Sequence, residues 1–257
     1  TVIDLCLSTF DWARFRRAKG AVKLHLLLDH DGYLPSFGVV SDGKTHDVTV
    51  ARKLSFSPGT VLVFDRAYLD FEWLWRLGES GVFFVTRIKS NILFEVEQYF
   101  PVKGGVLLDS MIRLTGPAAG NYPGLLRRVV AQDPKTGRAI AFITNHFKLS
   151  ASTIGAVYKD RWQIELFFKA LKQNLKIKTF LGTTPNAVKT QIWTALIAML
   201  LLKFLQLKSS FGWSLSNLAA LLRMNLLTYR DLWAWLNCPF ETPVIEPKPA
   251  QLPLEFA

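Results

Sequence analysis

The chain has 257 residues, with 31 Lys and Arg against 20 Asp and Glu, a formal net charge of +11, and 50% hydrophobic and 13% aromatic residues. That apolar and aromatic content excludes a disordered polycation, and two cysteines make neither a disulfide framework nor a zinc cluster. The positive excess points to polyanionic partners, either nucleic acid or an anionic membrane surface.

The opening Thr1-Val-Ile-Asp4-Leu-Cys6 lacks a basic segment followed by a long apolar core, so no secretory signal is expected. The longest apolar run, Ile192 to Leu202, is bounded by Lys189 and Lys203. It falls short of the ~20 residues of a membrane span. The expected setting is therefore a reducing cytoplasm, with no membrane partner.

Strands come first. Val22 to Leu28 ends at the turn signal Asp29-His-Asp-Gly32, and Tyr33 to Val40 follows, a pattern that predicts a hairpin. A polar loop, Asp42-Gly-Lys-Thr-His46-Asp47, leads into a short helix over Val48 to Leu54. Thr60 to Phe64 reads as a buried strand that stops at Asp65-Arg66-Ala-Tyr68. The amphipathic Phe71 to Leu77 predicts a helix closed by Gly78 or Gly81, and Val82 to Thr86 a further strand. Strand, helix and strand with such short links predict a parallel crossover unit.

From about Asn91 to Ser150 short apolar runs alternate with turns such as Lys103-Gly-Gly105, Gly116-Pro117 and Asp133-Pro-Lys-Thr-Gly137. Arg127 to Ala131 and Ala139 to Thr144 predict antiparallel strands about the last of these. From Ala151 onward the pattern is helical, over roughly Ala151 to Leu175 and Asn186 to Leu207, with shorter pieces to Trp235. The end, with Pro239, Pro243, Pro247, Pro249 and Pro253, reads as an extended tail.

The segment Tyr158-Lys-Asp-Arg161-Trp-Gln-Ile-Glu165-Leu-Phe-Phe-Lys-Ala-Leu-Lys172 is the most informative. At about 100° per residue, Tyr158, Arg161, Glu165 and Lys172 share one narrow stripe of a continuous helix, while Ile164, Phe167, Leu171 and Leu175 face the other way. This spacing admits two readings. One is a solvated face with an ordinary Arg161–Glu165 ion pair. The other is a metal-binding acid among cations that hold a phosphate backbone, for Lys159, Arg161, Lys169, Lys172, Lys176 and Lys178 face only Asp160 and Glu165. A second basic stretch, Arg14, Arg16, Arg17, Lys19 and Lys23, reads either as a segment that tracks a phosphate backbone or as a solvated loop.

Tyr158-x2-Arg161-x3-Glu165-x6-Lys172 resembles the YREK signature of DDE-class bacterial insertion-sequence transposases, of the insertion sequence four family. Asp65-Arg66-Ala-Tyr68 after a strand is similar to the second-Asp motif of that family, and Phe84-Val-Thr-Arg87 to the strand that follows it. Asp42-Gly-Lys-Thr-His46-Asp47 and Lys189-Thr-Gln-Ile-Trp193 also resemble family stretches, in the same order along the chain.

The resemblance implies an α/β fold: a ribonuclease-H-like mixed sheet with helices, interrupted by a β-rich insertion before the last catalytic helix. Residues 1–90 would then be the first part of the core and 91–150 the insertion. Residues 151–210 would complete the core and 211–257 would form a carboxy-terminal helix and Pro-rich tail. It also implies three carboxylates holding two Mg²⁺ or Mn²⁺ ions, for DNA cleavage and strand transfer at transposon ends. Asp65 and Glu165 would be catalytic metal ligands, and Tyr158, Arg161 and Lys172 DNA contacts. The implied partner is double-stranded DNA, bound as a homodimer that pairs two ends.

Two positions depart from the family pattern. The first carboxylate belongs to an Asp-Ser-Thr motif whose threonine corresponds to Thr1, so that acid would precede the chain, and an amino-terminally truncated polypeptide is expected. Asp4 stands three residues beyond Thr1, about 10 Å along a strand and on its opposite face, and is a poor substitute. No Trp lies between Asn91 and Ser150 to stack on a flipped base, and Phe94, Tyr99, Phe100, Tyr122, Phe142 and Phe147 are assigned chiefly to packing. The rival readings are a DNA-binding remnant without catalysis and a basic face for anionic lipid or RNA. Trp233 and Trp235 are expected to pack a terminal helix.

Overall fold

The computed structural model describes residues 1–16, 19–133, 136–175, 177 and 179–245. Four strands come first: β1 (Val2–Leu5), β2 (Arg14–Arg16), β3 (Lys19–Leu28) and β4 (Pro35–Asp42). Helix α1 (Asp47–Ala51), β5 (Val61–Val63), α2 (Phe71–Glu79) and β6 (Phe83–Arg87) follow. Then come β7 (Phe94–Tyr99), β8 (Val106–Leu114), β9 (Leu125–Gln132) and β10 (Ala139–Thr144). The chain closes on α3 (Ala151–Asp160), α4 (Trp162–Asn174), α5 (Pro185–Lys208), α6 (Leu215–Met224) and α7 (Leu232–Asn237).

These elements make two compact units, one of residues 1–40 with 167–257, the other of residues 41–166. In the first, β3 pairs with β1, β2 and β4, so the predicted hairpin of β3 and β4 forms. The basic stretch near the start is thus largely strand rather than loop; Arg17 lies outside the described residues. Ile3 and Leu5 of β1 and Val22 and Leu24 of β3 pack with Phe167 and Leu171 of α4 and with Ile192, Leu196 and Met199 of α5. Each such fully buried side chain contributes roughly 1.5–3 kcal/mol. Gly38 of β4 lets the sheet approach α5, because a Cβ there would stand 3.0 Å from Leu26 and 3.3 Å from the Trp193 ring. Trp213, Leu218, Trp235 and Leu236 form a smaller cluster. Trp235 packs as expected, whereas Trp233 stays 47% exposed.

Helix α5 forms where expected, with one residue more at each end than Asn186 to Leu207. Thr184 caps it, accepting from Ala187 N, and Pro185 occupies its first turn, where no N–H is needed. The helix runs 24 residues through both Lys189 and Lys203, and by length and composition alone it is apolar enough to cross a membrane. A single helix of this kind is weak grounds for a membrane protein, since core helices of soluble proteins pass the same measure.

The second unit is a six-stranded sheet in the order β5-β6-β10-β9-β8-β7. The β5–β6 pair is parallel and the remaining pairs are antiparallel, which makes the sheet mixed. Helix α2 supplies the predicted crossover. Asp70 caps it by accepting from Trp73 N, its Phe71, Trp73, Leu74 and Leu77 are buried, and Gly81 at φ +72° turns the chain into β6. The expected hairpin about Asp133–Gly137 is present as β9 and β10, which pair from Ala139 with Gln132 to Thr144 with Arg127. Strands β7 to β10 continue the sheet that β5 and β6 begin.

Two expectations need correction. Strand β5 is an edge strand and not fully buried: Leu62 is 7% exposed but Val61 37%. The helix expected over residues 151–175 is interrupted at Arg161. There Arg161 N bonds to Tyr158 O at 3.2 Å and Ile164 N to Arg161 O at 3.2 Å, a tighter i to i+3 pattern that separates α3 from α4. The Pro247, Pro249 and Pro253 segment lies outside the described residues.

Candidate functional site

Strand β5 ends just before Asp65, whose backbone is extended at φ −71° and ψ 154°. One carboxylate oxygen, Oδ1, accepts from Ala67 N at 3.1 Å and caps the short helical turn Arg66–Tyr68. The side chain is 46% exposed. Asp65 is therefore held by its own backbone turn while Oδ2 stays open to other partners.

Helix α3 follows β10 and packs on β6, β8 and β9 of the same sheet, and a buried ion pair fixes where it starts. Arg127 of β9 donates from Nε to Asp109 Oδ1 at 2.9 Å and from Nη2 to Asp109 Oδ2 at 2.7 Å, a bidentate pair with both side chains buried. The same guanidinium donates from Nη1 to the carbonyls of Phe147 and Leu149, immediately before the Ser150 cap of α3. One residue of the sheet thus ties down the loop that launches the helix.

At the other end of α3, Tyr158 is only 7% exposed and its ring lies 4.9 Å from that of Phe142. This corrects the expectation that the helix presents all four polar groups: Tyr158 is packed inward. The Arg161 guanidinium stacks over the Tyr158 ring at 5.4 Å. Its Nη1 lies 2.8 Å from Glu165 Oε1 and 3.8 Å from Asp65 Oδ2, with the Arg161 side chain 17% exposed. The two carboxylate oxygens can therefore be no farther apart than the sum of those two distances. Residues 100 positions apart in sequence share one cation.

Charge and burial act together here. Burial pushes the Tyr158 phenol up, with Arg161 pulling it down and Asp65 adding to the rise. For Arg161, burial opposes the charged form, but the hydrogen bond to Glu165 and the charges of Glu165 and Asp65 outweigh it. Tyr158 Oη and Arg161 Nε are buried without a hydrogen-bond partner. The Tyr68 phenol is pushed up to about 12, first by burial and then by the charges of Asp47 and Asp65.

The remaining sites lie in the other unit. Lys172, near the end of α4, donates from Nζ to Thr1 Oγ1 at 2.9 Å and to Val2 O at 3.1 Å, so it is anchored to the first strand. Asp4 points away from the core between the buried Ile3 and Leu5. Lys176 and Lys178 lie outside the described residues. Two carboxylates are oxygen donors of the kind a hard divalent ion prefers. Among the described residues, however, no group of three or more His, Cys, Asp or Glu gathers at metal-binding distance. The fit is that of a partial ligand set.

Spacing along the sequence brings out Arg161 and Glu165 but not Asp109, Arg127 or Phe142. Asp109 and Arg127 lie 18 residues apart on neighbouring strands, and only their pairing in the sheet aligns them. The aromatic residues of the segment between Asn91 and Ser150 divide: Tyr122 and Phe142 are buried, while Tyr99 and Phe147 are exposed.

A model of the transposase DDE domain family matches residues 8–201, about three quarters of the chain and the whole of the region around Asp65 and Glu165. The chain belongs to the DDE transposase family. It is 34% identical over 198 residues to the transposase y4zB of Sinorhizobium fredii, covering 75% of this chain and 55% of the relative. It is 34% identical over 222 residues to a transposase for insertion sequence element IS5377 of Geobacillus stearothermophilus, covering 84% and 58%. Against transposase InsG for insertion sequence element IS4 of Escherichia coli the identity is 26% over 201 residues, covering 73% and 44%. This DDE transposase chain thus spans 44% to 58% of the length of these relatives. Enzymes of the family use divalent metal ions.

Proposed function

We propose that the chain is the catalytic domain of a DNA transposase, with metal-dependent cleavage and strand transfer at transposon ends. The single observation that carries this reading is the convergence of Asp65 and Glu165 on Arg161 Nη1, at 3.8 and 2.8 Å, inside the family-matched region. In this reading the fold is a ribonuclease-H-like core, with residues 1–90 as its first part, 91–150 as a β-rich insertion, 151–210 as its helical completion and 211–257 as a carboxy-terminal extension.

Asp65 and Glu165 supply oxygen ligands to Mg²⁺ or Mn²⁺, of which the reaction takes two. Bound there, such ions would activate a water or DNA 3′-hydroxyl and stabilise the leaving oxygen of an in-line phosphodiester attack. Asp65 is suited to its role because the Ala67 N–H fixes Oδ1 while Oδ2 lies 3.8 Å from Arg161 Nη1, the partner of Glu165 as well. Arg161 offers a planar fork matched to a phosphate. The Tyr158 ring, its hydroxyl buried, supports that fork, and Lys172 would contact DNA only on leaving Thr1 and Val2. Two copies of the chain would pair two ends of double-stranded DNA.

A second reading is favoured by the partial ligand set. Because no third acid joins Asp65 and Glu165 among the described residues, the 257-residue chain alone would bind duplex DNA and nick it weakly. The test is gel-shift and nicking of a plasmid that carries the inverted repeats of the element, with and without Mg²⁺ or Mn²⁺. Metal-dependent nicking lost in Asp65→Asn and in Glu165→Gln supports the enzyme, and binding without nicking supports the remnant. Absence of both overturns the DNA reading. Robust nicking abolished by Asp4→Ala would make Asp4 the third acid.

A further inference from the structure

The position of Arg161 has a meaning beyond that of a helix-surface ion pair. An ordinary i to i+4 pair is exposed on both sides and joins two residues of one helix. Here the guanidinium is mostly buried and stacked on Tyr158, and one terminal nitrogen serves carboxylates from two separate segments. The break between α3 and α4 falls at this residue, which sets its side chain on a turn instead of inside a regular helix. Its Nε has no partner, so the guanidinium is not fully committed where it stands.

We propose that Arg161 is a resident counter-cation of the Asp65–Glu165 pair, which holds the two carboxylates together and which a divalent ion must displace before it binds. This rests on the reading of those two acids as metal ligands. The chemistry is competition for the same oxygens: Glu165 Oε1 cannot donate fully to a metal while it accepts from Nη1 at 2.8 Å. A positive charge a few ångströms from a divalent ion also repels it directly. Arg161 is then a positioning residue with two effects. It keeps two acids preorganised in the absence of metal, and it weakens metal binding until the guanidinium moves away. An anionic phosphate is the natural acceptor for the guanidinium once it leaves, so that DNA and metal would bind cooperatively.

The test is Mn²⁺ binding to the full chain, followed by the loss of the free-ion electron paramagnetic resonance signal. The proteins are the parent, Arg161→Gln, Arg161→Met, Arg161→Lys and the double variant Asp65→Asn/Glu165→Gln. Met is the second neutral replacement, because its stem still packs on Tyr158 should the Gln variant fail to fold. The expected result is that the neutral variants bind Mn²⁺ roughly tenfold more tightly than the parent, while Arg161→Lys, which keeps the charge, stays near it. A short duplex added at low salt should tighten Mn²⁺ binding in the parent and not in the neutral variants. Equal or weaker binding by folded neutral variants overturns the counter-cation. If parent and neutral variants alike bind no better than the double variant, the assignment of Asp65 and Glu165 as metal ligands is what falls, and the proposal with it.

Discussion

Replacing Asp109 by Ala leaves the Arg127 guanidinium buried without its carboxylate. In the parent the pair makes two hydrogen bonds, at 2.9 and 2.7 Å, with side chains 9% and 3% exposed. Removing one partner of such a buried pair costs about 3–5 kcal/mol, most of it the desolvation of the charge left behind. At roughly 2–4 °C per kcal/mol for a protein of this size, Tm should fall by roughly 6–20 °C. The comparison is Glu97→Ala, which removes an exposed partner of Arg113 on the same sheet, with side chains 49% and 39% exposed. That change should cost under about 1 kcal/mol. Urea and thermal unfolding followed by far-ultraviolet circular dichroism measures both. The double change Asp109→Leu/Arg127→Met should recover much of the loss, since no uncompensated charge remains. The reasoning is refuted if Asp109→Ala costs no more than Glu97→Ala, or if the double variant is less stable than the single one.

The other expected outcomes concern the same unit. Asn145 donates from Nδ2 to Val82 O at 2.9 Å and accepts from Phe84 N at 2.9 Å, standing in for a strand neighbour. Asn145→Ala leaves both backbone groups unpaired and should lower stability by about 2–4 kcal/mol in urea unfolding, whereas loss of under about 0.5 kcal/mol would show that other groups satisfy them. The Tyr68 and Tyr122 phenols are both pushed up to about 12, first by burial. Below about pH 10 folded and unfolded states both keep these protons, so the full stability is present. Between about 10 and 12 only the unfolded state releases them, so stability falls as pH rises, and absorbance at 295 nm should show two late-titrating phenols absent from Tyr68→Phe/Tyr122→Phe. Burial pushes the His146 imidazole below its ordinary range, helped by Lys148 and Arg127 and opposed by a backbone hydrogen bond. The unfolded state then binds the proton first, so stability falls as pH drops through about 6.5, a slope that His146→Asn should remove.

Local chemistry made much of this molecule legible in advance. The turn residues from Asp133 to Gly137 announced the β9–β10 hairpin, and the periodicity from Phe71 to Leu77 with a closing glycine announced α2 and the parallel crossover. What spacing could not reveal was set by tertiary partners. Helical period alone placed Tyr158 with Arg161 and Glu165 on one outward stripe, but Phe142 draws Tyr158 inward and the chain tightens at Arg161. The exposed Val61 reflects an edge position that only the sheet order determines. The Asp109–Arg127 pair, which fixes the start of α3, depends on strand register and leaves no trace in local pattern. Helical spacing is equally silent on the partners of Lys172, whose ammonium donates to Thr1 and Val2.

The central claim is that Asp65 and Glu165 form one metal site, and iron-directed cleavage addresses it most directly. Fe²⁺ with ascorbate and peroxide, bound in place of Mg²⁺, cuts the backbone within a few ångströms of its ligands, and mass spectrometry locates the cuts. The account predicts two clusters of cuts, one beside Asp65 and one beside Glu165, both suppressed by excess Mg²⁺ and both lost in either Asp65→Asn or Glu165→Gln. Cuts at one position that survive removal of the other acid, or cuts at neither, would contradict it.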